Sequence, residues 1–219
     1  DRDLFIQNKL VQRDKCDLLP GSGIDTNKFI LIEYKNEDGI FKFLLIARML
    51  WDKGVGEYLE AAKIVKSKYP NVEFQLLGLL DVANNTAISK EQMQEWVNKG
   101  LVNYLGKTDN VKEFIKKADC VVLPSYREGT PRALLESASM SKPLIATNVP
   151  GCKEVVDDGI NGYLCEVRNT QDLADKMEMM LNLSEEQRKS MGEAGRVKMI
   201  NEFDEKIVIG KYLEALKQL

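Results

Sequence analysis

The stretch that most constrains the fold of this chain is residues 119–147, where two short apolar runs flank a polar loop and a helical pattern. The first run, Cys120–Leu123, stops at Pro124, and the second covers residues 143–146. Between them, the apolar spacing predicts a helix over residues 131–140. The stretch therefore predicts a strand, a loop, a helix and a second strand in succession.

The start of that helix has the composition of an anion site. Thr130 is a good N-cap, because its hydroxyl can accept a hydrogen bond from a backbone amide one turn on. Pro131 is predicted at the first helical position, where its fixed φ suits the helix and the amide it lacks would have no helical partner. The amides of Arg132 and Ala133 should then point out of the helix end. Because that end carries a partial positive charge, the sequence predicts a phosphate-binding site here.

Two carboxylates flank this predicted phosphate site. Glu128 lies in the loop before the helix and Glu136 lies inside it, with seven residues between them. Since a helix rises about 1.5 Å per residue, Glu136 lies within about two turns of the helix end. A carboxylate can accept hydrogen bonds from vicinal hydroxyls, so the arrangement suits a phosphate-linked sugar. The alternative is that Glu128 is a solvated loop residue and Glu136 an ordinary surface position on the helix, which fits the same spacing.

A second charged loop lies upstream. Residues 41–47 form an apolar run that predicts a buried strand, and the apolar spacing after residue 54 predicts an amphipathic helix. Arg48 and Lys53 lie in the loop between them. Because ligands of open α/β sheets bind at the carboxyl ends of the strands, these two cations are placed to neutralise a diphosphate without a metal. Ordinary surface cations in a loop are the alternative.

Composition narrows the function classes. The 219 residues are 44% hydrophobic and 30% charged, with a net charge of −3 and no histidine. This balance argues against a nucleic-acid binder, which should present a basic surface. The lack of histidine excludes a histidine-based triad or metal site within the chain. No apolar run approaches the roughly 18 residues of a membrane span, and the cysteines lack close pair spacing, so we expect free thiols and a cytoplasmic location.

The rest of the chain alternates strands with helices. The pattern predicts two more strands at residues 72–77 and 101–105, and helices near residues 90–98 and 111–117. Such alternation favours an α/β fold with a doubly wound, mostly parallel sheet that carries helices on both faces.

Three further helical patterns follow near the carboxyl terminus, over residues 173–182, 184–200 and 203–219. The second begins with Ser184 as N-cap, and Gln187 completes a capping box. Four methionines in these patterns are predicted to pack in the core rather than to bind a ligand: Met177, Met179, Met180 and Met191.

Two of the motifs resemble those of one known family. The sequence Glu128-Gly-Thr-Pro-Arg-Ala-Leu-Leu-Glu136 is similar to the Glu-x7-Glu motif of retaining, nucleotide-sugar-dependent glycosyltransferases with the GT-B fold, the family-four group. Upstream, Arg48-x4-Lys53-Gly54 resembles the Arg and Lys that hold the donor diphosphate in that family. Members commonly have Phe-Gly where this chain has Thr130-Pro131, a variant that resembles capsule and exopolysaccharide transferases.

The resemblance also implies a domain organisation. The segment from Pro20 to Phe29 is similar to the linker that joins the two domains of the family. Residues 1–29 would then be the tail end of an N-terminal domain and the linker, and residues 30–219 a nucleotide-sugar-binding, Rossmann-like domain. The fold expected is the C-terminal half of a GT-B fold, a doubly wound parallel sheet with C-terminal helices.

By the same resemblance, the protein transfers a hexosyl-type sugar from a nucleotide diphosphate sugar to an acceptor with retention, in cell-surface polysaccharide biosynthesis. Arg48, Lys53 and Glu128 are the implied catalytic residues, acting on the diphosphate and on the transferred sugar. Glu136 is expected on the ribose, and no metal and no cofactor are expected. The other implied donor-binding residues are Gly129, Thr130, Pro131, Arg132 and Ala133 around the phosphates, with Gly106 and Lys107 beside the base.

The implied partners are the nucleotide-sugar donor and an acceptor, either a sugar or a lipid-linked glycan, bound through the N-terminal domain. Peripheral association of the full-length protein with the inner face of the membrane belongs to the same expectation. This chain alone should bind the donor without efficient turnover, because half of a cleft supplies neither full orientation of the reactants nor exclusion of water.

Other classes stay open at this point. A non-catalytic nucleotide-sugar-binding module would keep the same pocket, and some sugar-nucleotide epimerases share the GT-B fold. A flavodoxin-like or dinucleotide-binding module could share the architecture, but no Gly-x-Gly-x-x-Gly follows the first strand, at residues 47–54. The Glu-x7-Glu spacing favours transfer over epimerisation.

Overall fold

The computed structural model describes residues 2–32, 34 and 38–217 of the chain. In this part of the chain, six parallel strands form one sheet in the order β3-β2-β1-β4-β5-β6. The strands are β1 (Phe41–Ile46), β2 (Val72–Leu77), β3 (Asn103–Tyr104), β4 (Cys120–Leu123), β5 (Leu144–Thr147) and β6 (Gly162–Cys165). The α-helices are α1 (Arg2–Gln7), α2 (Val55–Lys68), α3 (Lys90–Asn98), α4 (Lys112–Ile115), α5 (Arg132–Ser139), α6 (Thr170–Asn182), α7 (Glu185–Lys198) and α8 (Glu205–Lys217).

The strand order reverses between β1 and β4, which confirms the expected doubly wound α/β sheet. These two strands pair in parallel, with Phe43 opposite Cys120 and Leu44 opposite Val121. The chain leaves β1 toward one side of the sheet and β4 toward the other, so a crevice opens outside their carboxyl ends. Ligands of open α/β sheets bind at such a switch point.

Two hydrophobic clusters cover the two faces of the sheet, because successive side chains of a strand point to opposite faces. Phe43 and Leu45 of β1 pack in one cluster with Tyr58 of α2, whose hydroxyl donates to the carbonyl oxygen of Phe43 at 2.9 Å. Leu44 packs in the other cluster, with Leu134 of α5. The core therefore fixes the starting points of the β1 and β4 loops from both sides.

Several local predictions are confirmed at the same bounds, among them strands β2 and β4 and helix α3. Ser184 and Gln187 form the predicted capping box at the start of α7. The prediction of a strand over residues 101–105 was too long. Residue 101 lies in the turn after α3, and its amide donates to the carbonyl oxygen of Trp96 in that helix, so it does not pair in the sheet.

The α-helix predicted over residues 184–200 ends two residues earlier than predicted. Helix α7 stops at Lys198 and is followed by a π-helical turn, Met199–Phe203. The helical conformation ends there because the next residue, Asp204, pairs with Ile24. The Ile24 amide donates to the carbonyl oxygen of Phe203 at 2.8 Å. The last two residues of the pattern predicted over residues 203–219 lie outside the described part of the chain.

The prediction that the methionines pack in the core holds for three of the four. Met177, Met180 and Met191 are buried, but 44% of Met179 is exposed. Met177 and Met180 are three residues apart and share a face of α6, whereas Met179 follows Met177 by about 200° around the helix. The prediction was wrong for Met179 because helical geometry turns that side chain away from the sheet.

Residues 24–29 pack against the domain core. Ile24 and Phe29 are buried in the cluster of α5, and Arg196 of α7 donates to the carbonyl oxygen of Phe29 at 3.0 Å. The same guanidinium donates to the carbonyl oxygen of Thr26 at 3.3 Å. This segment is thus held by α7. The division of the chain into two domains at residue 29 stays a prediction. Of the described helices, none has the length and apolar character that crossing a membrane requires.

Candidate functional site

The loops that follow β1 and β4 meet at the switch point through an ion pair. Lys53, from the β1 loop, donates through Nζ to Glu128 Oε1, from the β4 loop, at 2.6 Å. Only 20% of the lysine side chain and 12% of the glutamate side chain are exposed. Two of the residues predicted for the site are therefore in direct contact, although 75 positions separate them in sequence.

Backbone contacts hold the same two loops together. The amide of Tyr126 donates to the carbonyl oxygen of Asp52 at 2.9 Å, and Ser125 Oγ donates to the same oxygen at 3.2 Å. Gly54 has a φ of +72°, and a Cβ at this position would overlap the carbonyl oxygen of Pro124. The close approach of the loops thus depends on a glycine, which is also the N-cap residue of α2.

The loop after β5 forms the third wall of the site. Gly151 packs so closely on the backbone of Gly129 that a Cβ would overlap its carbonyl oxygen, and the Gly151 amide donates to the carboxylate of Glu154. Between the β4 and β5 loops lies a cleft of about 490 Å³. Its lining consists of Tyr126, Arg127, Glu128, Gly129, Val149 and Pro150.

A larger concavity of about 630 Å³ runs along the exposed face of α3. Its lining comes from α3 and the residue after it, and none of the residues predicted for the site contributes to it. We assign the candidate site to the smaller cleft, because three loops and the Lys53–Glu128 pair converge there.

Helix α5 begins one residue later than predicted. Pro131, with φ −73° and ψ 113°, is the N-cap, and Thr130 makes no capping bond. The Thr130 side chain instead packs against Gly21, so the prediction of Thr130 as N-cap was wrong. The carbonyl oxygen of Pro131 accepts from the amides of Leu134 and Leu135 at 3.0 and 3.2 Å.

The later start of α5 leaves the two amides of the predicted anion site at the helix end. The amides of Arg132 and Ala133 are now the first two of α5, which a helix cannot satisfy from within. Helix α5 is eight residues long, and its first turn carries no acidic side chain that would compete for these amides. An anion at this end would also be stabilised by the helix dipole.

Glu136 is not an ordinary surface position. Only 9% of the residue is exposed, and burial raises the pKa of its carboxyl group, while the nearby Arg132 guanidinium opposes the rise. Arg132 donates to Glu136 Oε1 over long distances of 3.3 and 3.4 Å. A buried carboxylate with one weakly bound partner is well suited to accept hydrogen bonds from a ligand.

Arg48, Gly106 and Lys107 lie at the same edge of the sheet, but among the described residues none of them forms a hydrogen bond or ion pair with Lys53 or Glu128. The Arg48 side chain is exposed at the end of β1 and forms no ion pair with another described residue. Gly106 follows β3, two strands from β1, and its carbonyl oxygen accepts from the amide of Gly78 at 2.8 Å. Lys107 comes next in that loop, so a ligand reaching both loops would have to cross the ends of β1 and β2.

Three residues beside the site were missed in the sequence. The Tyr126 hydroxyl donates to Glu57 Oε1, in the first turn of α2, at 2.7 Å. The Arg168 guanidinium, from the loop after β6, lies 4.5 Å from the centroid of the Tyr126 ring. Glu57 and Tyr126 are 69 positions apart, and no local pattern pairs them. Only the position of Tyr126 two residues before Glu128 offered a signal.

No group of three or more histidine, cysteine, aspartate or glutamate side chains that could hold a metal ion occurs in the described part of the chain. Arg127 lines the cleft, Lys53 pairs with the lining residue Glu128, and the free amides of α5 follow the same loop. The site can therefore bind a phosphate group through charge and backbone donors, with carboxylates on both sides of it.

The fold and the site together define an α/β protein with a crevice at its switch point, where a lysine, free helix amides and carboxylates lie close together. A family model described as glycosyl transferases group 1 matches residues 27–198. The chain belongs to this family of glycosyltransferases, which confirms the resemblance that the two motifs indicated.

Relatives and solved structures agree with this assignment. The N,N'-diacetylbacillosaminyl-diphospho-undecaprenol alpha-1,3-N-acetylgalactosaminyltransferase of Campylobacter jejuni is 29% identical over 221 residues, which cover 96% of this chain and 56% of that protein. The capsular polysaccharide biosynthesis glycosyltransferase CapM of Staphylococcus aureus is 28% identical over 214 residues, 93% of this chain and 56% of that protein. The chain thus spans about half the length of the curated relatives it matches.

Among solved structures, Anabaena HepE in complex with UDP superposes with a TM-score of 0.84 and 21% identity, over 100% of this chain and 61% of that one. At this identity the likeness shows the shared fold. It confirms the predicted fold, the Rossmann-like half of a GT-B fold.

Proposed function

We propose that this chain is the donor-binding part of an enzyme that transfers a sugar from a nucleotide diphosphate sugar to an acceptor with retention of configuration. The Lys53–Glu128 ion pair carries the proposal, because it places a cation and a carboxylate side by side next to the free amides of α5. A diphosphate sugar offers one partner for each: phosphate oxygens for the cation, and sugar hydroxyls for the carboxylate.

The diphosphate would be bound by Arg48, Lys53 and the amides of Arg132 and Ala133. As the bond between the anomeric carbon and the phosphate breaks, negative charge grows on the leaving diphosphate, and these donors stabilise it in place of a metal. No side chain of this chain is assigned as a nucleophile. The chain's contribution is to hold the donor and to stabilise its leaving group.

Donor binding would replace the ion pair by two new interactions. Lys53 turns from Glu128 to a phosphate oxygen, and Glu128 is then free to accept from hydroxyls of the transferred sugar. Because both side chains are mostly buried, an unpaired charge on either would be costly, so the exchange favours a ligand that supplies both partners at once.

Glu136 would accept from the two ribose hydroxyls. This role is supported by its burial and by its position in α5, one turn behind the amides proposed to bind the phosphates. Gly106 and Lys107, in the β3 loop, are proposed to lie beside the base. Gly129, Thr130 and Pro131 would shape the backbone around the phosphates.

The acceptor is proposed to be a sugar or a lipid-linked glycan, bound through another part of the full-length protein at the inner face of the membrane. The names of the two relatives, one acting on a diphospho-undecaprenol compound and one in capsular polysaccharide biosynthesis, support a role in cell-surface polysaccharide synthesis. The exposed apolar side chains of α8 support a further contact surface: Ile209, Tyr212, Leu213 and Leu216.

A metal-free binding screen tests the donor site. Thermal shifts of the chain would be measured in EDTA with UDP, GDP, ADP, TDP and their sugar conjugates, and repeated on Arg48→Ala and Glu136→Ala. We expect one nucleotide family to stabilise the wild type, with the shift lost in both variants and kept in Arg13→Ala, a change at an exposed arginine far from the site in sequence. Stabilisation that survives in both variants would contradict the proposed site.

Turnover separates the alternatives. A full-length protein with donor and a lipid-linked acceptor should release the nucleoside diphosphate and form a glycosidic bond with the donor's anomeric configuration, as NMR would record. Binding without transfer would instead identify a non-catalytic module, and a changed sugar configuration on the nucleotide would identify an epimerase. Efficient transfer by the 219-residue chain alone would contradict the expectation that it only binds the donor.

A further inference from the structure

We propose that Glu57 is a positioning residue for Glu128, acting through Tyr126, and that this contact gives the site its affinity for the sugar part of the donor. The inference rests on the proposed function, in which Glu128 contacts the transferred sugar. Glu57 lies on α2, outside both motifs of the site, and touches neither the Lys53–Glu128 pair nor the α5 amides through any recorded bond among the described residues.

Tyr126 is held at both ends. Its amide donates to the carbonyl oxygen of Asp52, and its hydroxyl donates to Glu57 Oε1 at 2.7 Å. Arg168 lies over its ring, so α2 and the β6 loop both contact this side chain, while the β1 loop holds its backbone. Since Tyr126 and Glu128 flank a single residue, the orientation of Tyr126 limits the directions that the Glu128 side chain can take.

Stability alone does not explain the carboxylate at position 57. Glu57 Oε2 is buried and has no hydrogen-bond partner among the described residues. Leaving a buried carboxylate oxygen without a donor opposes folding, and an apolar pair of the same shape would pack without that cost. Burial and the neighbouring Glu57 carboxylate raise the pKa of Tyr126 to about 12, so the hydroxyl stays a proton donor to Glu57 at any physiological pH.

The contact becomes important when the donor binds. In this structure, Lys53 holds the Glu128 carboxylate directly. Once Lys53 turns to the diphosphate, Glu128 loses that partner, and the Tyr126–Glu57 bond remains to keep its part of the loop in place. Loss of this bond should therefore weaken sugar recognition more than nucleotide recognition, because the ribose and the phosphates are contacted from α5 and the β1 loop.

Four variants test the inference: Tyr126→Phe, Glu57→Met, Glu57→Gln and the double variant Tyr126→Phe/Glu57→Met. Calorimetry would give Kd for the tightest-binding nucleoside diphosphate of the screen (UDP, GDP, ADP or TDP) and for its sugar conjugate. The quantity compared is the ratio of the two constants, which is the affinity gained from the sugar. The melting temperature of each variant is measured in parallel.

We expect Tyr126→Phe and Glu57→Met to lower the affinity gained from the sugar about tenfold, the value of one hydrogen bond to a charged group. Their affinity for the nucleoside diphosphate should stay within about twofold of the wild type, and Glu57→Gln, which still accepts from Tyr126, should keep the ratio. Tyr126→Phe leaves both oxygens of Glu57 without a donor and should melt lowest. The double variant should recover melting temperature without recovering the sugar ratio.

The outcomes distinguish this inference from the proposed function. If the double variant recovered both stability and the sugar ratio, or if the ratio were unchanged in Tyr126→Phe, the Glu57–Tyr126 contact would be purely structural and the inference would be wrong. A wild type that bound the nucleoside diphosphate but gained nothing from the sugar would overturn the inference alone. A wild type that bound no member of the screen would overturn the proposed function together with it.

Discussion

Both edges of the sheet bury charged side chains, but they hold them differently. At the amino ends of the strands, Lys42 pairs with Asp38 at 2.6 Å, and its amide donates to the carboxylate of Asp119 at 2.8 Å. Lys142 Nζ donates to the carbonyl oxygen of Lys116 at 2.9 Å. Each of these contacts closes within the fold, and two of them use backbone groups that cannot turn to another partner.

At the carboxyl ends, the charged groups are bound to each other through side chains that can turn. Lys53 and Glu128 form such a pair, Glu136 has only the long bonds from Arg132, and Glu57 keeps one buried oxygen without a donor among the described residues. Burial of charge by itself therefore does not mark a site. What distinguishes the carboxyl edge is that its charges keep partners that a ligand can replace.

The largest effect is expected from separating the two loops of the site. Gly54→Ala forces a Cβ into the carbonyl group of Pro124 at a φ of +72°, so strain and overlap should together lower the free energy of unfolding by about 2–5 kcal/mol. Nucleotide binding should be lost. Denaturant unfolding and calorimetry measure both quantities.

Gly100→Ala is the matched control, because Gly100 also has a positive φ, +66°, but no atom within 4 Å of its Cβ position. This variant should cost only about 1–2 kcal/mol and bind nucleotide normally. Equal losses in the two variants would mean that the close approach of the β1 and β4 loops is not needed for the site.

A smaller effect is expected from a charge at each edge. Lys53→Met removes a cation from the diphosphate site and should weaken binding of the nucleotide about 10- to 100-fold, the value of about 1.5–3 kcal/mol for a hydrogen bond to a charged group. Lys142→Met removes a partly buried cation from the amino edge, and the affinity should not change. Calorimetry on both variants shows which edge of the sheet binds the nucleotide. Weakened binding in Lys142→Met would mean that the amino edge also contributes to the site.

The pH dependence of binding should follow Glu136. Burial raises the pKa of this carboxyl above its ordinary 4.5, and the ribose hydroxyls need the ionised form as acceptor. Affinity should therefore fall as the pH is lowered toward that raised pKa, and calorimetry at several pH values would record the loss. The affinity of Glu136→Gln should be weak but should not depend on pH. The affinity of the wild type for a 2',3'-dideoxynucleotide, which lacks the ribose hydroxyls, should not depend on pH either.

The smallest effect concerns stability at the amino edge. Burial raises the pKa of Asp119 above its ordinary 3.8, so the folded state binds this proton more tightly than the unfolded state does. The contribution of Asp119 to stability is therefore largest at low pH and is lost as the pH rises through the raised pKa. Asp119→Asn should remove this slope, with a change in Tm of no more than about 2–4 °C, and leave nucleotide affinity unaltered. Thermal melts across that pH range, with and without nucleotide, test both statements.

Local patterns in the sequence were sufficient for much of the fold and for the placement of four candidate residues. Arg48, Lys53 and Glu128 follow apolar runs that became β1 and β4, and the order of strands and loops alone brings their loops to one edge. Glu136 could be placed on α5 by spacing, but its burial could not, because burial depends on residues packed from elsewhere in the chain.

Contacts between distant segments were beyond the sequence. The Tyr126–Glu57 bond joins residues 69 positions apart, and the packing of Thr130 on Gly21 displaced the predicted cap of α5. In both cases tertiary packing, which no local propensity encodes, decided the position of the side chain. The residues missed were those whose role depends on a partner across the fold.

Hydrogen–deuterium exchange of the wild-type chain, with and without a saturating nucleotide sugar, would show whether the donor binds at the carboxyl edge of the sheet. We predict slower exchange in residues 48–54, 125–133 and 149–154, which line the carboxyl edge, and no change at the amino edge around Lys42, Asp119 and Lys142. Protection confined to the amino edge or to α8, with none in the three loops, would contradict the assignment of the donor site.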